Sequence, residues 1–74
     1  SYTILRRGFT KSLKPMGERD GYKVFRRSRG SDILIYDGRQ FFLWNGCGFP
    51  GTAMSDLVEI AFANKGEWET VYES

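Results

Sequence analysis

Histidine, the commonest general acid or base, is absent from the chain, and the one cysteine, Cys47, stands between two glycines. A cysteine nucleophile needs a neighbouring base or cation to become a thiolate, and no histidine exists to serve Cys47. A lone thiol closes no internal disulfide and builds no zinc site. No phosphate loop ending in Gly-Lys-Ser/Thr and no paired-histidine metal helix occurs. Gly46-Cys47-Gly48 with Gly51 is rich in glycine but lacks the lysine that such a loop needs. The acids of the second half fall mostly at helix-cap and strand-surface positions, so they signal no catalytic carboxylate pair. These residues predict a protein that is not an enzyme, with no catalytic group, cofactor or metal.

What can act is charge and aromatic surface. Residues 1–31 hold nine Lys and Arg against Glu18 and Asp20, a balance of +7. The remainder holds Arg39 and Lys65 against seven acids, a balance of −5. A basic half joined to an acidic half suits one partner of each sign, or an internal pairing of the two. In the basic half, Lys23, Phe25, Arg27 and Arg29 fall on one face of an extended segment that also holds Arg26, and Arg6 and Arg7 precede it in the chain. Cations interleaved with a ring serve phosphates and bases, which makes these seven residues the candidate nucleic-acid contacts. The same pattern also arises on an edge strand whose charges prevent aggregation. In the acidic half, Asp56, Glu59, Glu67, Glu69 and Glu73 with Trp68 and Tyr72 have a composition suited to an Arg- or Lys-rich protein, or to ordinary strand alternation with solvated glutamates.

The elements that must carry these residues follow from periodicity and turn chemistry. Residues 2–6 read as a short strand, and residues 8–21, with Gly8, Pro15, Gly17 and Gly21, read as a long loop. Residues 22–27 alternate as a second strand. Residues 33–36 and 39–44 flank Asp37-Gly38, which predicts a two-residue type I′ hairpin. After the glycine-rich 45–51 connection, Ser55 reads as an N-cap. Met54, Leu57, Val58, Ala61 and Phe62 form one helical stripe, and Gly66 is placed as the residue that ends it. Residues 67–73 alternate as a last strand, Trp68, Thr70 and Tyr72 against Glu67, Glu69, Val71 and Glu73. The predicted fold is one α+β domain over 1–74: a small, mostly antiparallel sheet of four to five strands with one helix near the C-terminus. A small barrel capped by the helix is the alternative.

Both faces of the predicted hairpin are apolar. Ile33, Ile35, Phe42 and Trp44 share one, and Leu34, Tyr36, Phe41 and Leu43 the other. One helix covers one face, so the second needs a barrel wall, the N-terminal loop with Phe9, Leu13 and Met16, or another protein. Tyr36 and Trp44 are therefore the candidate aromatic anchors of a protein interface, and Trp68 of the acidic half is a further candidate contact. The functional expectation is a small protein-binding regulator of the inhibitor or adaptor kind. A nucleic-acid-binding module is the alternative, and a homodimer is a further form the protein partner can take. No apolar run reaches the length of a membrane span and no leader pattern opens the sequence. With its unpaired thiol this favours a reducing compartment, and a cytoplasmic location is the expectation.

Overall fold

The computed structural model describes residues 1–46 and 50–74, so Cys47, which the sequence reads as lacking the base a nucleophile needs, lies outside the described residues. Six strands form one mixed sheet: β1 (Tyr2–Leu5), β2 (Leu13–Arg19), β3 (Tyr22–Arg27), β4 (Ile33–Tyr36), β5 (Phe41–Trp44) and β6 (Glu69–Glu73). Their spatial order is β1-β6-β5-β4-β3-β2. β2 to β5 run as an antiparallel meander. The helix α1 (Met54–Ala63) then returns the chain to β6, which lies antiparallel to β5 and parallel to β1. The expected α+β architecture holds, with six strands instead of four or five, and the sheet is open at both edges instead of closing into a barrel.

The additional strand is β2, inside the segment that reads as loop. Its Pro15 is compatible with a strand because β2 is an edge, where a missing N–H need not break a ladder. Pro15 pairs with Phe25 and Glu18 with Lys23, so Met16 and Gly17 together oppose Val24 in a bulge, with Gly17 at φ 98°. Arg19 pairs with Tyr22 across Asp20 and Gly21, whose φ values of 52° and 84° are those of a type I′ turn.

The Asp37-Gly38 hairpin turns one residue later than predicted, which moves each cross-strand partner by two residues. Tyr36 pairs with Phe41, leaving residues 37–40 as the connection, and only Gly38 (φ 101°) has positive φ. That matches a II′-like turn centred on Gly38-Arg39 better than I′. Because the shift is even, every side chain keeps its predicted face.

Ala53, not Ser55, caps α1, and Asp56 occupies the first turn, near the positive end of the dipole. Gly66 does not terminate the helix in a left-handed conformation. Asn64 is the C-cap, and Gly66 lies in a 3₁₀ turn (Lys65–Glu67) without positive φ.

The sheet has two apolar layers. Val24, Ile33, Ile35 and Trp44 pack beneath Leu57, Ala61 and Phe62 of α1. On the opposite side Leu34 is fully buried, and Val71 is buried with it. Ile33, Leu34 and Ile35 are all 0% exposed, so β4 is covered on both faces, which explains its unbroken apolar sequence.

Candidate protein-binding edge and arginine depression

The N-terminal segment provides the second cover. After β1 the chain passes through Gly8 (φ 82°) and a 3₁₀ turn (Phe9–Ser12), and the Phe9 ring lies 5.4 Å from that of Phe41. Tyr36 and Phe25 also pack on Phe41, with centroids at 4.5 and 6.0 Å. None of Leu34, Tyr36, Phe41 and Leu43 is left among the exposed large apolar side chains. Of the three loop residues expected to cover this face, Phe9 does so, and Leu13 lies on it opposite Arg27. Met16 packs instead against the helix-side core.

The predicted aromatic anchors accordingly lie inside the protein or at its margin. Trp44 is 4% exposed under α1. Trp68 is half-buried: its indole N–H donates to the Ala61 carbonyl at 2.7 Å, and its ring meets Tyr22, Phe42 and Phe62. Tyr36 is half-buried, and its hydroxyl donates to the Gly38 carbonyl at 2.9 Å.

The basic candidates divide into separate groups. Arg6 and Arg7 leave the end of β1 and, with Arg27 of β3, line a depression of about 310 Å³ beside Phe9 and Ser12. Acids temper it. Arg27 is 3.8 Å from Asp32, and the Gly8 N–H donates to the Glu73 carboxylate at 3.1 Å. Lys23 and Phe25 line a different depression, over the β2 bulge, and Lys23 pairs across the strands with Glu18. Arg26 faces the other side of β3, half-buried and opposite Lys14. Arg29 is past the end of β3, so it does not extend the predicted strand face. Elsewhere Arg19 pairs with Glu59 of α1 and lies over the Phe62 ring.

Apart from Ile60 of α1, the exposed large apolar side chains among the described residues are at the other edge. Tyr2 and Ile4 of β1 and Tyr72 of β6 are 62%, 58% and 52% exposed, with the Tyr2 and Tyr72 rings edge-on at 5.6 Å. Register explains their exposure. Thr70 pairs with Phe42 and Tyr2, and Ile4 pairs with Tyr72, so all three project to the helix side of the sheet. There α1 packs over β3 to β5 and leaves β6 and β1 bare.

The backbone of β1 is directional as well. The Leu5 carbonyl accepts from the Ser74 N–H across β6, so residues 3 and 5 of β1 turn their peptide groups toward β6. By alternation Tyr2 and Ile4 turn theirs outward, away from β6. The two edges thus differ. β2 carries Lys14, Pro15 and a bulge, the devices that block strand addition, whereas Tyr2–Leu5 carries none of them.

Tyr2, Ile4 and the β1 edge were not singled out by sequence reasoning, because which strand lies at an edge depends on the β1–β6 pairing of the chain's two ends. Among the described residues, no cluster of acids could hold a metal, and no helix is long and apolar enough to cross a membrane. No protein-family model matches the chain, and neither does any curated protein or solved structure.

Proposed function

We propose that this is a non-catalytic protein-binding domain, a regulator of the inhibitor or adaptor kind, that docks an extended strand of a protein partner onto β1. One observation carries the reading: the unblocked edge that turns the N–H and C=O groups of Tyr2 and Ile4 outward also exposes the Tyr2, Ile4 and Tyr72 side chains. Strand addition supplies affinity through main-chain hydrogen bonds and specificity through alternate side chains, and this edge offers both. Burying three such side chains at roughly 1.5–3 kcal/mol each is a gross gain that matters against the cost of association. Charges flank the strip at both ends. Arg6 and Arg7 follow β1, and Glu69 beside Ser1 starts β6.

Peptides selected by display against the folded domain test the reading. Titration into isotope-labelled protein is expected to move the amide signals of Tyr2, Ile4 and Tyr72. Shifts confined to the β2–β3 hairpin, or failure of the selection, would reject it.

A second reading, nucleic-acid binding, rests on the convergence of Arg6, Arg7 and Arg27 beside Phe9. Ion pairing of Arg27 and the mixture of acids among the cations favour the protein reading. A single-stranded oligonucleotide decides between them. Binding whose log K falls linearly with log[salt], and which Arg27→Ala weakens for all sequences alike, supports the second reading. No binding at low salt removes it.

A further inference from the structure

Taking β1 as the docking edge, we infer that the strand it accepts is β1 of a second copy of this chain, added antiparallel about a two-fold axis at Thr3. Self-complementarity supports this assignment. In that register Tyr2 faces Ile4 of the second copy and Ile4 faces its Tyr2, so the outward peptide groups of each chain meet those of the other. Both are hydrogen-bonded pairs, and the two Thr3 residues form the closer, non-hydrogen-bonded pair at the axis. A Thr–Thr pair is among the favourable cross-strand combinations. A slip of one residue would set outward peptide groups against inward ones and flip every side chain.

Side chains and charge agree with the backbone. The register keeps Tyr2 and Ile4 of both copies on one face, flanked by Tyr72 from each, so two exposed strips become one continuous apolar band. It also lays the Arg6-Arg7 end of one strand beside the end of the other where the Ser1 hydroxyl holds Glu69. Opposite charges therefore meet at both ends of the pair. Because β2 is blocked by Pro15 and its bulge, each copy has one usable edge, and the assembly closes at two instead of growing into a fibre.

Sedimentation of the full chain over a wide concentration range tests the proposal, with Ile4→Pro as the diagnostic variant. The Ile4 N–H faces outward, so proline there removes a donor from the dimer and none from the β1–β6 ladder. Wild type is expected to pass from monomer to dimer mass with rising concentration, while Ile4→Pro stays monomeric with its core amides protected. Should the proline variant fail to fold, Ile4→Lys replaces it, with dimerisation expected to weaken at least about tenfold. A mixed-label sample is expected to show an intermolecular Hα–Hα contact between the two Thr3 residues. A wild type that is monomeric throughout, or a dimer indifferent to both variants, overturns the proposal. A monomer that still binds display-selected peptides along β1 would overturn the second copy as occupant and leave the docking edge standing.

Discussion

The Phe9 ring stands edge-on to Phe41, with centroids 5.4 Å apart and planes at 79°. Through this contact the segment leaving β1 crosses the helix-free face and shields the side chains around Leu34. Phe9→Ala is expected to cost about 2 kcal/mol, below the range for a fully buried phenylalanine because Phe9 is only half-buried. Urea unfolding measures the loss, and increased binding of an apolar dye should accompany it. An unchanged midpoint would mean that the second face is covered in some other way.

Asp37 provides an acid-range prediction. Its Oδ1 accepts the N–H groups of Arg39 at 2.8 Å and Gln40 at 2.7 Å, and these bonds hold the carboxyl below its ordinary value, the Arg39 N–H contributing most. With the folded value depressed, the stabilisation is complete above the ordinary aspartate range near ~4 and is lost as pH falls through the lower folded value. Asp37→Asn keeps an oxygen acceptor without the charge. The melting temperatures of wild type and variant are therefore expected to differ most above that range and to converge in stronger acid. A gap independent of pH would contradict this origin.

Two Asp-Gly pairs show where sequence reading succeeded and where it failed. The pair at 37–38 stood between obvious apolar runs, and its faces came out right although the turn is centred one residue further on. The pair at 20–21 forms the I′ turn, yet it was masked by Pro15 and Gly17, residues that break an interior strand but suit a bulged edge. The helical stripe was legible because Leu57, Ala61 and Phe62 repeat with helical spacing, whereas its ends were not. Ser55 lies inside the helix, and Gly66 has ordinary φ. The candidate anchors misled for a related reason. Trp44 and Tyr36 mark apolar faces, but composition does not reveal that α1 and Phe9 cover them.

The glycines turn that difference into a measurement. A Cβ at Gly66 meets nothing within 4 Å and needs no positive φ, so Gly66→Ala is expected to be neutral or to stabilise by about 0.5 kcal/mol. Gly21 at φ 84° has equal space but the wrong conformation for a side chain, and Gly21→Ala should cost about 1 kcal/mol. Equal effects in chemical denaturation would show that the two sites do not differ as described.

The docking edge is tested most directly by residue-resolved amide exchange of β1 with and without a display-selected peptide. In the peptide-free monomer, at a concentration below self-association, the Tyr2 and Ile4 amides, which face outward, should exchange faster than those of Thr3 and Leu5, which face β6. Saturating peptide should slow Tyr2 and Ile4 and leave the β2 edge unchanged. Protection that appears along β2, or at the arginine depression without any change at Tyr2 and Ile4, would contradict the account.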